Sequence, residues 1–279
     1  MIYSSKYNIL NNAIYFETDI ESVFKDIEAT FAIFKTEENF NNIDIHSLTL
    51  KSQNGQSPYT IKLDAKNCLY YEFSYLFPRC VEMIREIIFS NDRFFAIHAA
   101  GVFKDGKTTL VLAKGNGGKS TLAFYLFTNG YKIFSDDTCF IDLKTGNIVP
   151  YALAFGIRKK TLDIMPELRE HVYERTLEGK WLLEMKPSWV ANENRLDTII
   201  VLDLNTSMDS VETTTLSHEE ILYNFLAFSF NFKLYKKKVA VVDRLKIILE
   251  KTNSYSLCGS NLKMILHKIE ELTDGNPNN

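Results

Sequence analysis

Hydrophobic residues recur at two spacings along the chain, and each spacing predicts a different kind of element. Tyr59–Leu63 alternates as a half-buried strand does, and the turn Asn54–Pro58 precedes it. Tyr75–Phe89 instead repeats its apolar residues every three to four positions, which predicts a helix with one buried face. We therefore expect residues 1–90 to form a small N-terminal α/β domain.

From about residue 94 the pattern becomes rich in strands. The strands predicted here are Phe95–Phe103, Thr108–Ala113, Lys132–Asp142 and residues 148–153. Asp105-Gly106 separates the first two and predicts a tight hairpin between them. A doubly wound fold would place a helix between consecutive strands, so this pattern predicts a mixed sheet in an α/β (α+β) fold.

The rest of the chain is predicted to be mixed. Residues 158–180 have a polar, helix-like pattern, and Arg195–Leu204 contains a buried strand. Further helices are expected over residues 217–230, 243–251 and 260–272. We assign residues 91–279 to a second, larger domain.

Composition excludes several classes of partner. The net charge of −3 gives no basic surface of the kind that DNA or RNA requires, so we expect no nucleic-acid partner. No apolar run approaches the roughly 20 residues of a membrane span, and the first residues lack a signal-peptide core. We expect a cytoplasmic protein with no membrane partner, and the oligomeric state, a homo-oligomer included, stays open.

The segment Thr109–Leu122 carries the strongest chemical signal, because an apolar strand leads into a glycine-rich turn, then Lys-Ser-Thr, then a helix. The backbone N–H groups of such a turn can surround a phosphate. The residues expected to bind the triphosphate are Gly115, Asn116, Gly117, Gly118, Lys119, Ser120 and Thr121. Lys119 would contact the β- and γ-phosphates of ATP, and the Ser120 hydroxyl would bind its Mg²⁺. The usual pattern has a first glycine where this chain has Ala113.

Two adjacent carboxylates, Asp136 and Asp137, follow the strand after this helix. A kinase site needs one carboxylate for Mg²⁺ and another to accept the proton of the attacking hydroxyl. We assign Asp136 to the metal and either aspartate to the base. Asp203 also ends a buried strand, as the Mg²⁺ aspartate of a generic nucleotide hydrolase does, and it is the alternative metal ligand.

His98 lies on the strand predicted to pair with the strand before the glycine turn. From there a histidine can orient the base carboxylate or stabilise charge on the transferred phosphoryl group. Its neighbours Ile97 and Ala99 are apolar, so a buried core histidine is the alternative.

Together, Ile97–Gly101, the glycine turn and Gly130–Asp137 resemble the HPr kinase/phosphorylase family, especially its shorter relatives in peptide-modification gene clusters. The resemblance implies a core akin to the nucleotide-binding part of phosphoenolpyruvate carboxykinase. It also implies ATP and Mg²⁺ as cofactors and transfer of the γ-phosphoryl group to a serine of a peptide or protein, such as a ribosomally made precursor peptide. On this resemblance Asp136 and Asp137 share metal contact and base catalysis, His98 supports them, and Arg158 neutralises phosphate charge.

Two other functions stay open: a kinase of a small hydroxylated metabolite such as free serine or a sugar, and an ATP-binding module without catalysis. The acceptor site also has two candidates. One is a groove over residues 158–190 that includes Arg158, Trp181 and Trp189. The other, which we favour less, is the lysine cluster at positions 233 and 236–238, because a solvated charged loop explains that cluster better than an acidic peptide does.

Overall fold

The computed structural model describes residues 1–38, 40, 45–70, 72–115, 117–166, 169, 172–175, 180–204 and 210–274. The strands are β1 Tyr3–Ile9, β2 Asn12–Thr18, β3 Ile45–Gln53, β4 Gln56–Leu63, β5 Lys66–Tyr70, β6 Phe94–Ile97, β7 Ala99–Lys104, β8 Lys107–Leu112, β9 Lys132–Ser135, β10 Cys139–Asp142, β11 Asn147–Val149, β12 Phe155–Arg158, β13 Tyr173–Arg175, β14 Lys180–Leu183, β15 Asn194–Arg195, β16 Thr198–Asp203, β17 Glu212–Thr215 and β18 Asn253–Cys258. The helices are α1 Glu21–Thr30, α2 Leu76–Phe89, α3 Lys119–Thr128, α4 Lys159–Ile164, α5 His218–Ala227, α6 Lys238–Leu249 and α7 Leu262–Asp274. This is a mixed α/β fold, as the sequence predicts.

The first of two compact units comprises Met1–Asn91 and Leu153–Pro187. Its main sheet has the order β1-β2-β3-β4-β5, and α1 connects the parallel strands β2 and β3. The helix predicted over Tyr75–Phe89 is confirmed as α2. The apolar residues that it buries are Leu76, Cys80, Met83, Ile84, Ile87 and Ile88.

Among the residues that the structure describes within 158–180, the helical prediction holds for α4, whereas Arg158, Tyr173–Arg175 and Lys180 lie in strands, contrary to it. Strands β12, β14 and β13 form a small antiparallel sheet. The pairing of β12 with β14 joins Phe155 to Leu183, a separation that local periodicity does not show. The domains predicted over residues 1–90 and 91–279 stay a prediction, and the compact units differ from them by grouping residues 153–187 with the first 91.

The second unit comprises Asp92–Ala152 and Ser188–Asn279. Its six-stranded sheet has the order β17-β18-β16-β8-β7-β9, in which β8, β16 and β18 run parallel and β7 runs antiparallel to its neighbours. The predicted hairpin is confirmed between β7 and β8, where Asp105 and Gly106 both adopt a positive φ.

A four-stranded sheet of order β15-β11-β10-β6 completes this unit. The chain passes from one sheet to the other at two neighbouring places, between β6 and β7 at His98 and between β9 and β10 at residues 136–138. The continuous strands predicted over Phe95–Phe103 and Lys132–Asp142 are therefore each broken in two. Each half pairs with a different partner, since β6 pairs with β10 and β7 pairs with β8 and β9.

The core of the second unit lies under these sheets and against α5 and α6. Phe95 stacks on Phe225 with ring centroids 6.3 Å apart, and Leu245 is fully buried beside them. Within the described part of the chain, no helix has the length and apolar character needed to cross a membrane.

Candidate functional site

Sheet topology brings four of the predicted features to one edge of the six-stranded sheet. The parallel strands β8 and β16 end there, with Asp203 as the last residue of β16. Because β7 is antiparallel to both β8 and β9, the end of β9 and the start of β7 lie at the same edge. The glycine turn, His98, the Asp136–Asp137 pair and Asp203 are therefore neighbours along this edge.

The turn between β8 and α3 is compact, and two glycines permit it. Gly118 has φ +83°, and a Cβ there would lie 2.2 Å from Cδ1 of Leu204. A Cβ on Gly117 would lie 2.8 Å from the carbonyl oxygen of Lys114, to which the Gly117 N–H donates a 2.9 Å hydrogen bond. A side chain at position 117 would collide with the backbone of the turn, and one at position 118 would strain a left-handed residue and displace the Leu204 side chain, so glycine is favoured at both positions.

The start of α3 has the properties of an anion site. Gly118 is the residue before the helix and has no side chain to cap it, so the first N–H groups of α3 receive no side-chain hydrogen bond from that position. These groups and the positive end of the helix dipole favour a negative ligand. Ser120 and Thr121 lie half-buried in this first turn, and Gly115 is exposed. The predicted ligand Asn116 lies outside the described residues.

Lys119 is buried within the turn, with 6% of its surface exposed. Its Nζ donates a 2.6 Å hydrogen bond to the carbonyl oxygen of Ala113. Burial lowers the pKa of Lys119, and the negative charges of Asp137 and Asp136 oppose part of that decrease. Ala113 does not adopt a positive φ, so its side chain introduces no backbone strain where the usual motif has glycine.

Asp136 and Asp137 follow β9 in a bend shaped by Ser135, whose hydroxyl accepts a hydrogen bond from the N–H of Thr138 at 3.2 Å. The two aspartates differ in environment. Asp136 is 9% exposed, whereas the Asp137 side chain is 48% exposed and accepts a 3.1 Å hydrogen bond from the Thr138 hydroxyl. A buried and an open carboxylate side by side match the two roles that the sequence predicts for this pair.

His98 meets Asp137 where the chain crosses between the two sheets. Its Nδ1 lies 3.2 Å from Oδ1 of Asp137 and 3.0 Å from the backbone oxygen of the same residue. Since the backbone oxygen can only accept, Nδ1 carries the proton and donates it. His98 is half-buried with its imidazole against Asp137, and its role in catalysis stays a prediction.

Asp203 lies on the other side of the glycine turn, exposed at the end of β16. Its backbone oxygen accepts a 3.1 Å hydrogen bond from Gly259. The carboxylates that act on the pKa of Lys119 are Asp137 and Asp136. The choice between the pair and Asp203 as the metal ligand stays a prediction.

The remaining residues predicted for the functional or acceptor site do not all lie in one unit. Arg158 is exposed at the end of β12 in the first unit, and its role at the phosphates stays a prediction. Trp181 lies on β14 of the first unit, whereas Trp189 lies in the second, with its ring centroid 5.0 Å from that of Phe127.

No pattern in the sequence indicates the segment that packs against His98 from residues 228–231. The carbonyl oxygen of Phe228 accepts a 2.9 Å hydrogen bond from the N–H of His98, and the Phe230 ring lies edge-on to the imidazole at 5.4 Å. Buried Asn231 accepts a 3.0 Å hydrogen bond from the N–H of Ala96. Asn231 lies between Phe230 and Phe232 in the sequence, which could have indicated a buried polar residue, but nothing nearby in the sequence identifies β6 as its partner.

No family model matches the chain, and no curated protein matches it. Among solved structures, the chain is similar to the Hpr(Ser) kinase/phosphatase from Coxiella burnetii, with 14% identity and a TM-score of 0.33. The match covers 64% of this chain and 99% of that chain. A likeness this distant does not determine function, and the function proposed below is argued from the geometry of the site.

Proposed function

We propose that the protein is a phosphotransferase that moves the γ-phosphoryl group of ATP to a serine hydroxyl of a peptide or protein, such as a ribosomally made precursor peptide. One observation carries the proposal. A glycine turn with a buried lysine, Lys119, lies at the same sheet edge as Asp137, whose carboxylate is held by His98. A nucleotide site and an oriented proton acceptor are the two parts that such a transfer requires.

The residues present fit a magnesium ion. Mg²⁺ prefers oxygen ligands, and the Ser120 hydroxyl and Asp136 carboxylate are the oxygen donors assigned to it. When bound, the ion would neutralise charge on the β- and γ-phosphates. Lys119 would exchange its hydrogen bond with the Ala113 carbonyl for the phosphate oxygens, without leaving the turn.

Proton transfer falls to the more exposed carboxylate. Asp137 is open to an incoming hydroxyl, and one of its oxygens, Oδ1, faces His98 Nδ1. The hydroxyl proton of serine would pass to the Asp137 carboxylate as the oxygen attacks the γ-phosphorus and the bond to the β-phosphate oxygen breaks. His98 would keep that carboxylate oriented before attack.

The exposure of Asp137 also bears on the two alternatives. A kinase of a small metabolite would be expected to enclose its acceptor, whereas 48% of the Asp137 side chain is exposed, which favours a peptide or protein acceptor. The feature that favours the non-catalytic alternative is Ala113, which stands where the usual turn has glycine. Since Ala113 does not adopt a positive φ, it adds no backbone strain to the turn.

The proposal is tested with purified protein, Mg²⁺, ATP and a pool of serine-containing peptides. We expect phosphoserine in the products by mass spectrometry. Lys119→Ala should lose both ATP binding and transfer, while Lys132→Ala, an exposed lysine at the far end of β9, should keep both. ATP binding without any transfer, to peptides or to water, would contradict the proposal and favour a nucleotide-sensing module.

A further inference from the structure

We propose that the acceptor is recognised through acidic residues, which bind a basic and apolar surface formed by residues 230–239. The inference rests on the proposed function, because it concerns the acceptor of the same site. We name this surface the basic segment. It lies wholly in the second unit, as the site does.

One end of the basic segment lies at the site itself. The Phe230 ring is 5.4 Å from the imidazole of His98, and the Phe230 N–H donates a 3.0 Å hydrogen bond to the backbone oxygen of Ala96. Phe230 is also 39% exposed. A polypeptide that reaches Asp137 would therefore meet this ring.

The segment then leads away from the site along β6. Its buried side chains fix that course, since Asn231 and the Tyr235 hydroxyl both donate hydrogen bonds to the backbone oxygen of Phe94, at 2.8 and 2.6 Å. Phe94 is four residues from His98, and a strand rises about 3.3 Å per residue. The part of the basic segment that contacts Phe94 therefore lies about 13 Å from His98. An extended acceptor would cover that distance with roughly four residues.

Charge along the segment is strongly positive. Its lysines are all exposed and, among the residues that the structure describes, they form no ion pair: Lys233, Lys236, Lys237 and Lys238. Exposed apolar side chains lie between them, with Leu234 61% and Val239 76% exposed. A partner with both acidic and apolar side chains fits this surface.

The positions of the last two lysines argue against a purely solvating role. Lys237 precedes α6 and Lys238 is its first residue, so both lie at the positive end of the helix dipole. Cations are unfavourable there, and the first turn of α6 contains no acidic residue to offset them. An anionic partner would relieve this repulsion. The proximity to Asp137 favours a peptide acceptor over a nucleic acid or an anionic membrane.

The experiment compares three peptides with one serine each in otherwise identical sequences. The first peptide has aspartates four to six residues from the serine on both sides. The second has asparagines at the same positions, and the third has lysines there. The spacing of roughly four or more residues follows from the distance along β6 estimated above. Steady-state kinetics at low and high salt are measured for wild type and for two variants of equal net charge. The test variant is Lys233→Gln, Lys236→Gln, Lys237→Gln, and the control variant is Lys132→Gln, Lys251→Gln, Lys263→Gln, all exposed positions.

We expect wild type to prefer the acidic peptide to the neutral one by roughly tenfold in kcat/KM at low salt, and less at high salt. The test variant should lose most of this preference through a higher KM with kcat and ATP affinity unchanged. The control variant should behave as wild type.

Equal use of acidic and neutral peptides by wild type would overturn the inference and leave the proposed function intact. Equal losses in the two variants would also overturn it, since they would reflect overall charge. If wild type bound an oligonucleotide or an anionic vesicle more tightly than the acidic peptide, and the test variant lost that binding, the partner of the basic segment would be a nucleic acid or a membrane and the inference would be overturned. Absence of transfer to every serine peptide would instead contradict the proposed function itself.

Discussion

At the scale of single residues, the proposed nucleotide site depends on glycine at positions where a side chain would collide with its surroundings. Gly118 and Gly106 have nearly the same φ, +83° and +81°. A Cβ on Gly106 would meet nothing within 4 Å, whereas a Cβ on Gly118 would collide with Leu204. Comparing alanine substitutions at these two glycines therefore separates the destabilisation caused by the backbone conformation from the destabilisation caused by the collision.

We expect Gly106→Ala to destabilise the protein by about 1 to 2 kcal/mol, the cost of a left-handed conformation for an L-residue, with ATP affinity unchanged. Gly118→Ala should destabilise it further, because the Leu204 side chain must also move, and should weaken ATP binding by roughly tenfold or more, about 1.4 kcal/mol, because the strained residue directly precedes the first N–H groups of α3. Urea unfolding and calorimetric titration with ATP measure the two effects. Equal ATP affinity in both variants would show that the turn does not bind the nucleotide.

At the scale of elements, the site forms because two strands change sheets side by side. Arg93, which precedes β6, donates hydrogen bonds of 3.0 and 2.6 Å to the carboxylate of Asp142 at the end of β10. The side chain of Asp142 is fully buried. This pair supports the register in which Ile97 lies opposite Cys139, and that register brings His98, the residue after Ile97, next to the bend 136–138 that contains Asp137.

The pH dependence of stability tests the interaction between Arg93 and Asp142. Burial would raise the pKa of Asp142, but hydrogen bonds from Arg93 and the Lys144 N–H outweigh it and lower the pKa below its ordinary value. A lowered pKa stabilises the folded state wherever the carboxyl is ionised, and that contribution is lost as the pH falls below about 4. Asp142→Asn should therefore lower the urea midpoint at about pH 7, with the difference from wild type shrinking toward about pH 3.

A matched control is Asp243→Asn on the exposed surface of α6, where the nearest cation, Lys246, is 4.0 Å away. It should leave the urea midpoint almost unchanged. A difference between Asp142→Asn and wild type that stays constant with pH would mean that the carboxylate charge of Asp142 is not what stabilises the strand pair.

At the scale of the whole molecule, the first unit is built from two separate stretches of chain. The N–H of Ala154 donates a 3.1 Å hydrogen bond to the carbonyl oxygen of Thr30, which links the later stretch to the earlier one. A fragment of residues 92–279 would keep the later stretch without the residues it packs against. We expect hydrogen exchange at β12 to be faster in this fragment than in the full chain, while β8 and β16 keep their protection. Equal protection of β12 in both would show that the second stretch folds independently.

The sequence predicts the parts of this molecule that depend on local pattern. The glycine turn, the helix α2 and the Asp105-Gly106 hairpin each follow from spacing within about 15 residues. The strand breaks at His98 and Asp137 were missed, because an apolar run looks the same whether it stays in one sheet or enters another. Phe230 was missed for a related reason, since its contact with His98 joins residues far apart in the chain.

The central claim is that ATP is held at the glycine turn and that Asp137, oriented by His98, receives the proton of the acceptor. Its most direct test compares two variants, Asp137→Asn and Asp203→Asn. The rate of γ-phosphoryl transfer to the pool of serine peptides is measured under single-turnover conditions, and ATP affinity is measured in parallel. We predict near wild-type ATP binding in Asp137→Asn and transfer slower by about two to four orders of magnitude, the usual contribution of a general base. Asp203→Asn should stay active. An active Asp137→Asn together with an inactive Asp203→Asn would contradict the account and place the acidic partner on the other side of the turn.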